Sequence, residues 1–120
     1  MNPQDILQRY KDEELPEYIG LDLVDVNQPG GFGNRPLNIA CTRGSIEEVQ
    51  ALLDGGADPN LPGEDGCSPL HDAIGQGHAR IVELLLRAGA RTDIADSEGK
   101  TPLQRANLKR YPELKKALRS

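Results

Sequence analysis

Cys67, His71, Asp72 and His78 fall within twelve residues, and among the side chains of this chain they have the clearest capacity for metal binding or nucleophilic chemistry. A structural zinc site draws its ligands in closely spaced pairs, because a tetrahedral ion takes two donors from each of two short turns. The order here is Cys-x3-His and then His-x6-His, which lacks those pairs. A Cys67–His71 nucleophile would need a third group to orient the base and donors to hold an oxyanion, and neither accompanies it. Gly30-Gly31-Phe32-Gly33 is rich in glycine. A phosphate loop would require Gly-x4-Gly-Lys-Ser/Thr, or Gly-x-Gly-x-x-Gly between a strand and a helix. Glycine in this run is instead read as serving a tight loop. The expectation is a protein that is not an enzyme and carries neither metal nor cofactor.

The elements that hold these residues recur. Gly33, Gly66 and Gly99 stand 33 residues apart, each opening Gly-x-x-Pro-Leu, with Ala40, Ala73 and Ala106 at one further offset. Residues 30–62 laid over 63–95 without a gap share eleven identities, among them Gly30/Gly63, Gly44/Gly77, Val49/Val82, Leu52/Leu85 and Gly56/Gly89. A fixed period of this length marks stacked units that cannot bury their apolar faces alone.

Local chemistry gives each unit two helices. Pro36, Pro69 and Pro102 suit a first helical turn, where the missing N–H costs nothing. Ser68 and Thr101 before them are good N-caps, whereas Arg35 predicts a weaker start. Gly44 and Gly77 can end that helix, and Ala40 and Ala73 allow close approach of neighbours. Ile81, Val82, Leu84, Leu85 and Leu86 form the apolar side of a second helix, with Arg80, Glu83 and Arg87 left wet. Gly56 and Gly89 end it, and 58–65 and 91–98 read as hairpin-like loops. Asp25-Val26-Asn27 precedes Asp58-Pro59-Asn60 by one period, and Pro3 precedes Pro36 likewise. Residues 3–20 are therefore expected to form a degenerate helix pair, Gln4–Tyr10 and Pro16–Ile19, with a polar outer face that opposes end-to-end association. At the other end Lys109-Arg110 replaces the turn glycine, and Tyr111-Pro112-Glu113 restarts a helix through Leu118.

The run Gly66-Cys67-Ser68-Pro69-Leu70-His71, then Gly77-His78, Glu83-Leu84-Leu85-Leu86 and Gly89-Ala90, resembles the ankyrin repeat. Gly55-Gly56-Ala57-Asp58-Pro59-Asn60 and Thr101-Pro102-Leu103 extend the resemblance, which covers residues 30–107 clearly and the ends loosely. It implies an all-α ankyrin-repeat solenoid, helix-turn-helix units joined by β-hairpin-like loops, in one domain over 1–120. Residues 1–29 would be a degenerate cap, 30–62 and 63–95 full repeats, and 96–120 a truncated cap. It also implies that His71 is a structural residue tying helix starts together, and His78 matches the second histidine of the motif.

Charge and composition narrow the partners. Residues 1–99 carry eighteen acidic and seven basic side chains; residues 100–120 carry Lys100, Arg105, Lys109, Arg110, Lys115, Lys116 and Arg119 against Glu113. An acidic body disfavours nucleic acid and favours a basic protein. The basic tail also suits a last helical C-terminus and a soluble end. No apolar run approaches membrane-spanning length, and the start lacks a basic, apolar leader. A cytoplasmic location follows, with Cys41 and Cys67 expected as free thiols, although sequence leaves a bridge between them open.

In the family resembled, partners meet loop tips and the exposed positions of the first helices. Those positions here are Phe32 and Asn34; Thr42 and Arg43; Glu64 and Asp65; Gln76; Glu98 and Lys100. Phe32 is either an exposed aromatic anchor or folded onto the amino-terminal cap. Arg43 offers a planar donor fork or is merely solvated. Glu64, Asp65, Asp96 and Glu98 form an acidic ridge or simply solubilise the loops. The expected function is a non-catalytic protein–protein interaction module, monomeric on its own, working by occlusion or scaffolding. Asp25–Leu37 also looks similar to the opening of small bacterial ankyrin immunity proteins, which implies a toxin as the basic partner. The alternative is a structural adaptor that self-associates or scaffolds a larger enzyme.

Overall fold

Proline and a polar residue before it set most of the helix starts. The computed structural model describes residues 1–118, so Arg119 of the basic tail lies outside the described residues. Pro3, Pro36, Pro69 and Pro102 open α1 (Pro3–Asp12), α2 (Pro36–Arg43), α4 (Pro69–Gly75) and α6 (Pro102–Arg105). Between and after them lie α3 (Ile46–Asp54), α5 (Ala79–Arg87) and α7 (Leu114–Leu118). Two short 3-10 turns occupy Pro16–Tyr18 and Glu64–Gly66, and the described residues contain no strand.

Reciprocal caps hold three starts. Asn2 Oδ1 accepts from Asp5 N at 2.9 Å, Ser68 Oγ from His71 N at 3.3 Å and Thr101 Oγ1 from Gln104 N at 3.3 Å. Each such cap stabilises its helix by about 1 kcal/mol. Arg35 makes no side-chain cap, as its type predicts; Asn38 Oδ1 instead accepts from Arg35 N at 2.9 Å. Glycine closes the ends of α3 and α5. Gly56 N donates to Leu53 O and Ala57 N to Leu52 O; Gly89 and Ala90 repeat this on Leu86 and Leu85. That pair of hydrogen bonds satisfies carbonyls the helix leaves open, and it needs a left-handed residue, here Gly56 at φ 96° and Gly89 at φ 95°.

The helices form two layers. α2, α4 and α6 stack side by side as the inner layer, while α1, α3, α5 and α7 form the outer one. Ala40 and Ala73 are fully buried where α2 meets α4, and Val49, Leu52, Ile74, Ile81, Val82 and Leu85 fill the space between layers. The body measures 39 × 30 × 23 Å. The loops turn back without strand pairing, yet each tip closes by one bond at the 33-residue period: Gly30 N to Asn34 O, Gly63 N to Cys67 O and Asp96 N to Lys100 O, all 2.8 Å. Asn27 and Asn60 link successive loops. Asn27 donates to Gly56 O and accepts from Asp58 N; Asn60 does the same with Gly89 O and Arg91 N.

The amino-terminal unit departs from the sequence expectation. α1 runs two residues past Tyr10, and it packs on α3, so it belongs to the outer layer although Pro3 is in register with the inner-helix prolines. Ile6, Leu7 and Tyr10 bury the apolar side of α1 in the core, and Glu48, a buried carboxylate on α3, ties the two helices by accepting from Tyr10 Oη at 2.5 Å and from Arg9 Nη1 at 2.7 Å. Residues 16–19 make only a 3-10 turn, Pro16–Tyr18. The outer face is not uniformly polar either, since Ile19, Leu21 and Val24 stand exposed. In the last unit α6 stops before Ala106, the alanine that lies inside the helix in α2 and α4; Asn107 then caps Arg110 N, and the final helix begins at Leu114.

Candidate protein-binding face

His71 shows how the inner helices and tips are locked together. Its Nδ1 accepts from Ser68 N at 3.0 Å, and its Nε2 donates to Lys100 O, 2.8 Å away on the next tip. Asn38, one period earlier, does the same work: its oxygen takes Arg35 N and its amide reaches Cys67 O at 3.3 Å. With both ring nitrogens committed, His71 is the structural tie that the resemblance implied and has no nitrogen left to act as a base for Cys67. His78 lies with Nε2 3.3 Å from Thr42 O, at the end of α2. Cys41 and Cys67 are free, and burial raises both thiols, with Asp72 adding to each. A thiol made harder to ionise is the opposite of an activated nucleophile. Among the described residues no group of three or more histidine, cysteine or acidic side chains converges on a point that could hold a metal.

The inner helices and tips border two adjoining grooves. The first, about 370 Å³, is lined by Asn34, Asn38, Ile39, Thr42, Arg43, Glu64, Asp65, Cys67 and Asp72. The second, about 290 Å³, shares Asp65 and Cys67 and adds His71, Gly75, Asp96, Ser97, Glu98 and Arg105. Of the residues singled out from sequence, Asn34, Thr42, Arg43, Glu64, Asp65 and Glu98 therefore line a groove, and Phe32, Gln76 and Lys100 do not.

Several of them have internal work. Phe32 is 58% exposed, so it does not fold onto the cap, although its N–H donates to Glu17 Oε2 at 2.7 Å. Asn34 is half-buried and joins two tips: it donates to Glu17 Oε1 at 2.8 Å and accepts from Glu64 N at 2.9 Å. Arg43 is not an idle fork. Both its terminal nitrogens reach the Glu13 carboxylate, at 2.7 and 3.2 Å, and its guanidinium lies over the Tyr10 ring at 5.2 Å. Glu64 and Asp65 are exposed, and Asp65 holds a left-handed turn at φ 58° while its carbonyl accepts from Ser97 N. Asp96, by contrast, is a buried turn residue. Its carboxyl is held down at about 2 by Arg105 and by the N–H groups of Lys100 and Glu98, which removes it from any free ridge.

Asn38, Ile39 and Asp72 were missed from sequence as lining residues. Ile39 and Asp72 are one period apart and lie one helical turn before the Thr42/Arg43 and Gly75/Gln76 positions, so extending that stripe backwards by three or four residues would have found them. Asp72 is the most perturbed acid on the face. Burial pushes its carboxyl up to about 7, opposed by the hydrogen bond from Asn38 and aided by Glu64. Asn38 Nδ2 donates to it at 2.9 Å, and no basic side chain pairs with it among the described residues.

No helix among the described residues is long and apolar enough to cross a membrane. A search among curated proteins found no match for the chain. The family model for ankyrin repeats (three copies) matches residues 6–96 and again 37–120. With the two-layer stack and the periodic tips, that match establishes that the chain belongs to the ankyrin-repeat family, whose repeats are generally protein–protein interaction modules.

Proposed function

We propose that this chain acts without catalysis, binding a basic protein along the two grooves of its inner face. The observation that carries this reading is the coincidence of exposed Glu64, Asp65 and Glu98 with the half-buried, cation-free carboxylate of Asp72, beside the apolar flank of Ile39. A lysine or arginine entering the first groove would meet three carboxylates and relieve the desolvation of Asp72, while Ile39 covers its aliphatic stem. The stack presents these groups already ordered, which lowers the entropy cost of association. Lys100 and Gln76 would lie on the rim, and exposed Phe32 at the edge of the first tip is an available anchor. The free thiols suit a cytoplasmic setting. In its sharper form the partner is a toxin neutralised by occlusion, a reading supported by the resemblance of the Asp25–Leu37 opening to immunity proteins.

The test is capture of partners from native lysate by wild type and by Glu64→Lys/Asp65→Lys/Glu98→Lys, followed by calorimetry on the purified partner. A single basic partner whose affinity falls at least about a hundredfold in the variant supports the inner face, since like charges across an interface cost several kcal/mol. Equal binding by both proteins sinks it. Co-expression decides the sharper form: a captured protein that arrests growth alone, and does not when this chain is present, is a toxin.

A further inference from the structure

Ends of a stack are where apolar surface lacks a neighbour, and the two ends of this chain differ in charge. At the amino-terminal end no helix among the described residues matches α1 in the inner layer. The 3-10 turn and the irregular 20–24 segment follow α1 there, leaving a groove of about 380 Å³ lined by Tyr10, Lys11, Glu14, Leu15, Tyr18 and Ile19, among others. Ile19 is 67%, Leu21 43% and Val24 69% exposed, three large apolar side chains within six residues. At the other end α6, four residues long, leaves Leu103 exposed, and Leu108 is exposed on the way to α7. Residues 1–25 hold seven acidic and two basic side chains, whereas residues 100–118 hold six basic and one acidic. Lys109 and Lys115 stand exposed on that basic end, and Glu14 and Asp22 on the acidic one.

We propose that the acidic, apolar amino-terminal end receives the basic carboxy-terminal end of a second copy of this chain, in a head-to-tail contact that continues the stack. Opposite charge fixes the polarity, because tail-to-tail or head-to-head contacts would oppose like charges. Leu103 and Leu108 of one copy face the Ile19, Leu21 and Val24 surface of the next. Such a contact is heterologous, so each copy keeps one open end and assembly proceeds past the dimer. This departs from the monomer expected from sequence, and it is independent of the inner face.

Sedimentation velocity across a concentration series, at about 0.01 M and about 1 M salt, tests it, since the Debye length shrinks from about 30 Å to about 3 Å between them. Wild type is expected to form dimers and longer species at low salt, with association at least tenfold weaker at high salt. Ile19→Ser/Val24→Ser destroys one end and Lys109→Glu/Lys115→Glu the other, all at exposed positions, and circular dichroism verifies that each variant is folded. Each variant alone should be monomeric. Mixed, they retain one good end apiece and should form a dimer that grows no further. A wild type that stays monomeric at low salt overturns the proposal, as does a mixture that fails to dimerise. An association abolished by only one of the two variants does so too, because it would signal a symmetric contact.

Discussion

Glu48→Ala should loosen the joint between α1 and α3 by about 3 kcal/mol, an estimate built from two charge-assisted bonds worth roughly 1.5–3 kcal/mol each. The bond from Tyr10 Oη, 2.5 Å long, lies wholly inside, and its loss strands a hydroxyl on a fully buried tyrosine. The bond from Arg9, 2.7 Å, counts for less, because the Arg9 side chain is 41% exposed and regains water. Tyr10→Phe should cost about 1.5 kcal/mol, and the double variant about as much as Glu48→Ala alone, leaving a coupling near 1.5 kcal/mol. At roughly 4 °C per kcal/mol for a chain of this size, Glu48→Ala lowers Tm by about 12 °C. Urea unfolding followed by circular dichroism supplies the free energies, and hydrogen exchange reads whether α1 opens ahead of the rest. Glu48→Leu with Tyr10→Phe makes the joint apolar on both sides and should lose less than Glu48→Ala, because no polar group remains stranded. A Tm within about 3 °C of wild type for Glu48→Ala, or a coupling below about 0.5 kcal/mol, would refute the assignment of Glu48 as the clamp that ties α1 to α3.

Two further outcomes follow from the inner layer. His71→Ala should cost about 2–3 kcal/mol in urea unfolding, through lost bonds to Ser68 N and Lys100 O; His71→Asn should recover about half of it, since Asn38 makes the equivalent pair of contacts one repeat earlier. Asp72→Asn should leave stability near pH 4 unchanged and raise it by about 2–4 kcal/mol at pH 8, measured by urea unfolding across that range. The sign follows from a folded carboxyl ionising near 7 against an ordinary value of 3.8: the folded state holds the proton longer, so wild-type stability falls as pH rises through that window and asparagine removes the fall.

Most of the inner layer was legible because its signals are local. Proline with a capping residue, glycine at a left-handed turn and a small residue at a helix contact act within a few positions of themselves, and their recurrence at 33 residues fixed the unit. The amino-terminal unit was not legible for the opposite reason. Pro3 carries the same local signal as Pro36, but α1 is held on α3 by contacts distant in sequence, the burial of Ile6 and Leu7 and the bonds of Tyr10 and Arg9 to Glu48, nearly forty residues away. Nothing in the periodicity announces a buried carboxylate on the apolar side of α3. The site divided along the same line. Tip positions are readable from register, whereas sequence leaves Arg43 and Asp96 each with two readings. Glu13, which binds Arg43, follows α1, whose layer the repeat does not dictate, and Arg105, which binds Asp96, stands on α6 where the earlier inner helices carry Ile39 and Asp72. Phe32, for which sequence left two readings, has its side chain exposed on a tip whose backbone is tied down by Glu17.

Asp72 joins the stability of the stack to the proposed binding. A carboxylate desolvated without a cation destabilises the folded state at neutral pH, and an asparagine or an apolar residue at that position would fold at least as well. Asp96 is the contrast within the same face: Arg105 and two backbone N–H groups satisfy it, so it serves the tip and has nothing to gain from a ligand. Under the proposed reading, a cation from the partner would do for Asp72 what Arg105 does for Asp96. Binding would then lower the Asp72 carboxyl from about 7 toward the ordinary range and release part of a proton. Affinity should accordingly rise with pH between about 5 and 8 for wild type and stay flatter for Asp72→Asn. The substitution that stabilises the free protein would therefore weaken the complex, and that opposition separates a binding carboxylate from one that is only tolerated.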